Sequence, residues 1–531
     1  MSSVAQTLVS WLKSMGVEVI FGIPGVHTIE LYRALPGAGI RHVTPRHEAG
    51  AGFMADGYAR ISGRFGVALV ITGPGLTNIL TPMAQARADS VPMLVISGVN
   101  ARQTLGKGRG HLHELPDQQA LAATLCPAFH LGRAEDLPAT LAQIARALAS
   151  GRPGPVHLQI PLDLMAERAP GLSGRTARPP ALPPYPARDL TRDLTPDLNA
   201  ANRLLAQAQS PVILAGGGCR GAGDAVQALA ERLGAPVILT TNARGLMHAH
   251  PLAVPASPSL CPVRDLIRSA DRLLVLGSEL GPTDCDMNED GGFPASDGMI
   301  RVDIDARQLA RHPGALSVQG DVAAILSQLT RVTPASGGPA RAARARALSR
   351  AALPAGYDSE IAMLERLRAE SPGAIMVGDS TQVVYAGNLF YDHDRPGGWF
   401  NAATGYGALG YATGAAVGAA LAAPGARILC LIGDGGLMFS PGELLTAAEE
   451  KLDITFIVFN NAGFGEIATA MRASGTQVLG CTPRPPDFAD FARACGLPFE
   501  RVTPQSLHVT APGPRLIEVA LPPVQAGPAP G

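Results

Sequence analysis

The 531-residue sequence has a formal net charge of −1, with 46% hydrophobic and 16% charged residues. This balance supports large buried cores and excludes a disordered chain, and without a long basic run it is not typical of proteins that bind nucleic acid or an anionic membrane. At about 150 residues per domain, the length predicts three domains.

The start of the chain, MSSVAQTLVSWLKSMGVEVIFG, reads as an amphipathic helix followed by a strand, and Lys13 and Glu18 interrupt its apolar character. It therefore does not resemble a signal peptide. The seven cysteines are scattered without a CxxC pair, which favours buried thiols in a reducing compartment. We expect a cytoplasmic protein that does not contact a membrane.

Helices and strands alternate through residues 1–168 and again through residues 199–330. The predicted strands are 17–21, 67–71 and 93–96, then 212–214, 237–239, 273–276 and 299–304. Alternation of this kind predicts doubly wound parallel sheets in an α/β fold. We predict an N-terminal domain at 1–168, a central Rossmann-like domain at 190–330 and a C-terminal domain at 355–531.

Two segments of loose composition separate these regions. The first, about 169–198, is rich in Pro and Arg and is typical of a linker. The second, TPASGGPARAARARAL at 333–348, is predicted to be irregular as well. The uncharged run 400–426 that follows is mostly Gly, Ala and Thr, which indicates a closely packed buried helix rather than a membrane span.

Two apolar runs in the last region, 428–432 and 454–459, are predicted to be buried strands of a parallel sheet. Asp434 follows the first and Asn461 the second, so both should lie at neighbouring carboxyl ends, where open α/β sheets bind ligands. A carboxylate, an amide oxygen and a nearby backbone carbonyl suit Mg²⁺. Either motif alone is equally typical of a simple turn, whereas the pair is more specific.

The residues between these two strands carry two further signals. Gly433, Gly435 and Gly436 flank Asp434, and glycines let a backbone approach a diphosphate closely. The sequence SPGE at 440–443 predicts a helix capped by Ser440. A small-residue helix, a buried strand and a glycine turn also occur in this order at 49–75, so the first and third domains look related.

Five stretches carry a resemblance to a known family, and they are spread over nearly the whole chain. They are FGIPG (21–25), RHEAGAGFMADGYAR (46–60), TGPGLTN (72–78), GYGALGYATGAAVGA (405–419) and GDGG followed by NN. The chain resembles the thiamine-diphosphate enzymes of the acetolactate synthase and pyruvate decarboxylase superfamily. The resemblance implies pyrimidine-binding, central and diphosphate-binding domains. It also implies a homodimer or homotetramer with each cofactor between two subunits.

The resemblance assigns roles to individual residues. Glu48 would sit beside the cofactor's pyrimidine and share a proton with it, because a desolvated acid favours such sharing. Leu409 would be the apolar wedge that bends thiamine diphosphate. Asp434, Asn461 and the carbonyl of Gly463 would hold Mg²⁺ on the diphosphate. A first-turn acid for Glu48 and a core leucine for Leu409 are the simpler alternatives.

The loop GKGRGHLHELPDQ (106–118) contains His111 and His113, and decarboxylases of this superfamily carry histidines in the corresponding loop. His113 aligns best, and its imidazole could hold the substrate carboxylate or supply the proton that replaces CO₂. An exposed loop histidine is the alternative. The glycine run at 214–223 is weak evidence for a nucleotide, and the segment LGSELGPTDCDMNED lacks the arginine of flavin-binding relatives, so we do not expect FAD.

The expected activity is the decarboxylation of a 2-oxo acid, and a carboligase that joins two 2-oxo acids is the alternative. Glu466, in the first turn of the next helix, replaces an apolar residue of related enzymes and could pair with a guanidinium group. A solvent-facing first-turn acid is the simpler reading. The chain also resembles the 5-guanidino-2-oxopentanoate decarboxylases of arginine catabolism. Glu114, Asp284 and Asp286 are further acids that could line such a pocket.

Overall fold

The computed structural model describes residues 2–171, 194–287, 289–294, 297–329 and 334–525. These residues form three six-stranded sheets in which the paired strands run parallel, with helices around them. The prediction of three doubly wound α/β units is confirmed. Much of the predicted linker at 169–198 lies outside the described residues.

The N-terminal sheet has the strand order β2-β1-β3-β4-β6-β5. Its strands are β1 (Val19–Gly22), β2 (Arg41–Val43), β3 (Gly66–Val70), β4 (Met93–Val99), β5 (Ala128–His130) and β6 (Pro155–Pro161). Its helices are α1 (Val4–Ser14), α2 (Ile29–Ala34), α3 (Glu48–Ser62), α4 (Pro74–Ala88), α5 (Gln118–Ala123) and α6 (Leu137–Ala149). Strands β3, β4 and β6 are buried along their whole length, because helices cover both faces of the sheet.

The central sheet has the order β12-β11-β10-β7-β8-β9, which is the order of a dinucleotide-binding fold. Its strands are β7 (Val212–Ala215), β8 (Val237–Leu239), β9 (Ala253–Val254), β10 (Leu273–Leu276), β11 (Met299–Asp303) and β12 (Leu316–Gln319). Its helices are α7 (Thr195–Ala206), α8 (Gly223–Leu233), α9 (Cys261–Arg268), α10 (Pro282–Cys285), α11 (Ala306–Arg311) and α12 (Val322–Leu326).

The C-terminal sheet has the order β14-β13-β15-β16-β18-β17, which repeats that of the N-terminal sheet and fits the similarity seen in the sequence. Its strands are β13 (Ile375–Gly378), β14 (Trp399–Asn401), β15 (Ile428–Gly433), β16 (Ile454–Asn460), β17 (Phe499–Val502) and β18 (Arg515–Ala520). The helices of this part are α13 (Gly338–Ala351), α14 (Tyr357–Glu370), α15 (Gln382–Leu389), α16 (Tyr411–Ala422), α17 (Asp434–Leu437), α18 (Glu443–Glu449), α19 (Gly465–Ala473) and α20 (Phe488–Ala494).

Helix α13 overturns one prediction, because it occupies most of the segment 333–348 that the composition marked as irregular. Ala342 and Ala345 of α13 are buried against the central part of the chain, in one apolar cluster with Val263 and Ile267 of α9. Alanine and arginine are strong helix formers, so the segment needs only this docking surface to be helical. Helix α7 also begins at Thr195, inside the predicted linker.

Helices α3 and α16 form the contact between the N-terminal and C-terminal sheets. Both are rich in glycine and alanine and are almost wholly buried, as the prediction of a packed helix within 400–426 required. A side chain at Gly57 would overlap the carbonyl of Ala415, and one at Gly418 would overlap the carbonyl of Met54. The missing side chains therefore let the two helix backbones touch.

All seven cysteines are free, and all but Cys261 are buried. In the described part of the chain, none of the helices combines the length and the apolar character needed to cross a membrane.

Candidate active site

Asp434 and Asn461 lie at the carboxyl ends of β15 and β16, which pair directly with Gly433 opposite Phe459. The pairing register brings the two strands to an end at the same level of the sheet. The residues that follow them therefore lie at the same edge of the sheet. Ala462 adopts a φ of 55°, which turns the chain sharply after Asn461. The amide Oδ1 of Asn461 accepts a hydrogen bond from the N–H of Gly463 at 3.2 Å. The predicted ligands Asp434, Asn461 and Gly463 are thus brought together.

Asp434 is 2% exposed as a whole residue, and its carboxylate has no lysine or arginine partner among the described residues. Burial raises its pKa, and backbone N–H donors of Asn461 and Gly435 partly offset that rise. A buried carboxylate held only by N–H groups still lacks a counter-charge. The site therefore fits a divalent cation with oxygen ligands, although no cluster of three His, Cys, Asp or Glu side chains exists in the described chain.

The glycines beside Asp434 make room for neighbouring side chains. A Cβ at Gly435 would lie 2.5 Å from the ring of Phe464, and one at Gly436 would lie 2.9 Å from Oδ1 of Asp379. At Gly433 the nearest such atom is Oγ1 of Thr381, at 3.4 Å. Gly435 and Gly436 therefore keep this turn close to β13 and to the start of α19.

Asp379, which follows β13, organises the turn that carries Leu409. It is buried, and its oxygens accept hydrogen bonds from the N–H of Ser380 at 2.9 Å and of Ala412 at 3.0 Å. Burial raises the pKa of Asp379 to about 6. Leu409 is half-buried between Gly407 and Gly410, both with left-handed φ. Asp379 was missed by sequence reasoning, although its place after a strand in GDST was a signal.

Glu48 is the first residue of α3, as predicted, and it is half-buried. Its Oε2 accepts a hydrogen bond from Nδ2 of Asn78 at 3.0 Å, and no partner of Oε1 occurs in the described chain. Asn78 belongs to α4, so α3 and α4 together fix the position of this carboxylate. A free carboxylate oxygen at a fixed position can share a proton with a ligand.

Glu443 holds the segment that leads into Glu48. The position of Glu443 also corrects the prediction that Ser440 of the SPGE sequence caps the next helix. Helix α18 begins at Glu443 with Gly442 as its N-cap, so Ser440 does not cap it. The carboxylate of Glu443 is buried and accepts a hydrogen bond from the N–H of Arg46 at 3.1 Å. Burial raises the pKa of Glu443 to about 6. The backbone before Glu48 is therefore fastened to the C-terminal part of the chain.

Ser440 is drawn away from the cap position by other partners. Its Oγ donates to the carbonyl of Gly410 at 2.6 Å and lies 2.5 Å from Oγ1 of Thr413. These contacts tie the residues after the GDGG turn to the start of α16. The local capping pattern was therefore outweighed by tertiary contacts.

His113 lies in the loop after β4, at the carboxyl end of the N-terminal sheet, and has a φ of 62°. Its ring centroid is 5.3 Å from that of His27, which follows β1 and is buried. Leu112 is anchored by Nδ2 of Asn100, which donates to its carbonyl at 2.9 Å. His27 was not predicted; its position after FGIPG was the available signal.

Gln118 is a second residue that sequence reasoning missed at this edge. It is buried, and its Oε1 accepts a hydrogen bond from the N–H of Gly73 at 2.9 Å. Its Nε2 donates to the carbonyl of Gly98 at 2.9 Å and to Oγ of Ser97 at 3.1 Å. Gln118 thus joins the ends of β3 and β4 and fixes the turn against which His113 packs.

Glu466 lies in the first turn of α19, as predicted, and is exposed. No lysine or arginine pairs with it among the described residues. Burial raises the pKa of Tyr357 to about 12, and the charge of Glu466 adds to that rise. The same charge acts on Tyr385 of α15. An unpaired carboxylate therefore lies near two tyrosines.

The other acids considered for this pocket lie elsewhere. Glu114 closes its own loop, because its oxygens accept hydrogen bonds from the N–H of Gly108 and of Gly110 at 3.0 and 2.8 Å. Asp286 pairs with Arg264 at 2.6 Å. Asp284 lines a cavity of about 680 Å³ where the central sheet meets the rest of the chain. In this structure none of the three accompanies Glu466.

The candidate residues form two groups. Asp434, Asn461, Gly463 and the Leu409 turn belong to the C-terminal sheet, and Glu466 follows them on α19. Glu48 and His113 belong to the N-terminal sheet. Within the described chain no hydrogen bond joins Glu48 or His113 to Asp434 or Asn461.

Comparison with known proteins identifies both groups as parts of known domains. Residues 2–121 match the thiamine pyrophosphate enzyme N-terminal TPP binding domain, residues 198–329 the central domain and residues 379–513 the C-terminal TPP binding domain. The probable 2-ketoarginine decarboxylase AruI of Pseudomonas aeruginosa is 43% identical over 92% of this chain and 88% of its own length. The acetolactate synthase isozyme 1 large subunit of Escherichia coli is 31% identical over 97% of this chain and 93% of its own.

Proposed function

Because this chain belongs to the thiamine pyrophosphate enzyme family, we propose that it decarboxylates 5-guanidino-2-oxopentanoate without oxidation, giving 4-guanidinobutanal and CO₂. Thiamine diphosphate and Mg²⁺ are the proposed cofactors. The observation that carries the substrate assignment is the unpaired carboxylate of Glu466 near Tyr357 and Tyr385. The greater similarity to the ketoarginine enzyme than to an acetolactate synthase supports it.

Asp434 and Asn461 would hold Mg²⁺ together with the carbonyl of Gly463. The buried carboxylate of Asp434 lacks a counter-charge and would be neutralised by the metal, which the diphosphate would in turn share. The turn of Leu409, held by Asp379, would pack against the cofactor between its two rings. FAD has no place in this proposal, since the residues after β10 include no arginine like that of flavin-binding relatives.

When bound, the cofactor supplies the carbanion that attacks the 2-oxo carbon and the electron sink for the electrons released with CO₂. Glu48 would hold a proton at the cofactor's pyrimidine nitrogen, using the oxygen that Asn78 leaves free. His113 would hold the substrate carboxylate or supply the proton that replaces CO₂. These roles divide proton transfer between two residues of the N-terminal sheet.

Glu466 would bind the far end of the substrate. A guanidinium is planar and cationic, so a carboxylate can accept two parallel hydrogen bonds from it. Tyr357 and Tyr385, which feel the charge of Glu466, would offer aromatic rings to the same cation. A 2-oxo acid with a small neutral side chain, such as pyruvate, would gain nothing from Glu466, whose exposed carboxylate would stay solvated by water.

The proposed active form is a homodimer or homotetramer with each site between two subunits. Phe439, next to the GDGG turn, and Leu112, next to His113, are both exposed in the single chain. A second chain that packs beside the candidate site residues would bury these side chains. A second subunit would bring Glu48 of one chain to Asp434 of the other.

The alternative is a carboligase that joins two 2-oxo acids, as acetolactate synthases do. It shares the proposed cofactors and the residues Glu48, Asp434 and Asn461. It differs in needing a second 2-oxo acid as the acceptor beside the cofactor, and the carboxylate of Glu466 would repel that anion.

The test is to measure kcat/KM for 5-guanidino-2-oxopentanoate and for pyruvate on the wild type and on Glu466→Leu. We expect the wild type to prefer the guanidino substrate, and Glu466→Leu to lose about tenfold to a hundredfold of that preference, the usual worth of a hydrogen-bonded charge. Glu450→Leu, which removes an acid of α18's C-terminal end, is the control. A preference of the wild type for pyruvate, or an acetolactate product, would support the carboligase instead.

A further inference from the structure

Three buried polar atoms at the carboxyl end of the N-terminal sheet lack a hydrogen-bond partner in the described chain. They are Nδ1 of His27, Oγ1 of Thr72 and Nδ1 of His113. Buried polar atoms in proteins are nearly always paired, because an unpaired one forfeits the hydrogen bonds it makes with water. Three of them in one place indicate a site for a ligand.

The three residues come from neighbouring strands. His27 follows β1, Thr72 follows β3 and His113 is in the loop after β4, and these strands are adjacent in the sheet. A Cβ placed on Gly98 would lie 3.2 Å from Cβ of His27 and 3.2 Å from Oγ1 of Thr72. His27 and Thr72 therefore both pack against Gly98 of β4.

His113 is the third member of the cluster and packs beside His27 and Gly73. Its ring lies 5.3 Å from that of His27, with the two planes tilted by 40°. A Cβ on Gly73 would lie 3.0 Å from Cβ of His113, so His113 packs directly on the residue after Thr72. The left-handed φ of His113 is a strained backbone conformation for a residue other than glycine. Gln118 fixes Gly73 and thereby the position of the cluster.

The chemistry of the cluster selects an anion. Each imidazole can donate an N–H and the threonine an O–H, whereas a cation would find no carboxylate among these three residues. Desolvation lowers the pKa of His27, and the charge of His113 adds to that effect. An anion bound beside both rings would oppose the effects that lower the pKa of His27.

We propose that His27, Thr72 and His113 together bind the carboxylate of the 2-oxo acid, with His27 and Thr72 as substrate-binding residues. This inference rests on the proposed function. The substrate would then be bound at both ends, with its carboxylate at the N-terminal sheet and its cationic tail at Glu466. Loss of CO₂ removes the charge that these donors hold, so the cluster binds substrate more tightly than product.

The test measures binding without turnover. The wild type, His27→Phe and Thr72→Val are saturated with Mg²⁺ and 3-deazathiamine diphosphate, an analogue that cannot form the reactive carbanion. Titration calorimetry then gives Kd for 5-guanidino-2-oxopentanoate and for its methyl ester, which lacks the negative charge. We expect the wild type to bind the acid about tenfold to a hundredfold more tightly than the ester. In each variant this ratio of the two Kd values should be about tenfold smaller than in the wild type.

Thr455→Val is the matched control, because Thr455 is a buried threonine of β16 whose Oγ1 also lacks a partner in the part of the chain that the structure describes. It should keep the wild-type ratio. Equal binding of acid and ester by the wild type, or an unchanged ratio in both His27→Phe and Thr72→Val, would overturn the inference. Turnover of 2-oxo acids with thiamine diphosphate is measured separately, so a failure of the proposed function is seen independently of this ratio.

Discussion

Glu48 and Asp434 are both carboxylates at the start of a helix, but their surroundings suit them to different tasks. Glu48 is half-buried with one amide donor, Asn78, and keeps one oxygen free for a ligand. Asp434 is buried among backbone N–H groups, and no lysine or arginine of the described residues pairs with it. The first arrangement suits the sharing of a proton, and the second suits the binding of a metal ion.

Replacing Glu48 by Gln tests the proton-sharing role. Glutamine keeps the size and the contact with Asn78 but cannot exchange a proton. We expect Glu48→Gln to bind thiamine diphosphate normally and to exchange the cofactor's C2 proton more slowly, with a barrier higher by about 3 kcal/mol. Deuterium exchange at C2, followed by NMR, measures the effect. Wild-type exchange in this variant would show that Glu48 serves only the structure.

Replacing Asp434 by Ala tests the metal site. The remaining neutral ligands cannot compensate a divalent cation, so thiamine diphosphate should no longer bind in a Mg²⁺-dependent manner. Fluorescence titration with and without a chelator measures this. The control is Asp490→Ala, which removes an exposed acid of α20 that pairs with Arg493. Near-normal affinity in a folded Asp434→Ala protein would contradict the assignment.

At the scale of elements, the contact of α3 with α16 decides how the two cofactor-binding parts of the chain meet. The helices approach through glycines, so their backbones touch and the start of α3, with Glu48, is set relative to α16. Glu443 adds a polar link from α18 to the segment before α3. Because interiors are close-packed, a small increase in volume at this contact displaces both elements.

Gly418→Ala tests this contact. Alanine normally stabilises a helix relative to glycine by about 1 kcal/mol, but here its methyl group would overlap the carbonyl of Met54. We expect a net loss of about 1–3 kcal/mol from the free energy of unfolding, as for other overpacked sites. Gly223→Ala in α8 is the control, since its Cβ would make an ordinary contact of 3.5 Å with Leu246. Urea unfolding of both variants measures the difference, and equal stability would contradict the close contact.

At the scale of the whole molecule, the single chain exposes large apolar side chains beside its candidate site residues. Val26, Leu112 and Ile467 are 64%, 62% and 53% exposed, and each is adjacent in sequence to a residue proposed to bind substrate: His27, His113 or Glu466. A second chain that covered these positions would remove the three side chains from water. This exposure agrees with the proposal that a second copy completes each site.

A mixing experiment tests whether sites are shared between subunits. Glu48→Gln and Asp434→Ala should each be inactive, but a dimer of one with the other would contain one site with both native carboxylates. Co-expression should therefore restore about a quarter of the wild-type activity per chain if chains pair at random. Each variant expressed alone is the control. No recovery in a proven mixed dimer would place both carboxylates of a site in the same chain.

The sequence alone determined the features that depend on neighbouring residues in the chain. The continuous apolar runs at 428–432 and 454–459 predict buried strands, which places Asp434 and Asn461 at the ends of those strands. The alternation of helices and strands along the chain predicts the parallel α/β fold. Family motifs pointed to Glu48 and to thiamine diphosphate in the same way, because motifs are local. These features can be predicted without knowing any contact between residues that are far apart in the chain.

The tertiary structure decided what depends on residues far apart in the chain. Ser440 was predicted to cap a helix, but its Oγ donates to the carbonyl of Gly410 instead. The segment 333–348 was predicted to be irregular, but its alanines pack against α9 as part of a helix. The cluster of His27, Thr72 and His113 exists only because β1, β3 and β4 are adjacent. No local pattern encodes these pairings, since each is fixed by burial and hydrogen bonding between separate elements.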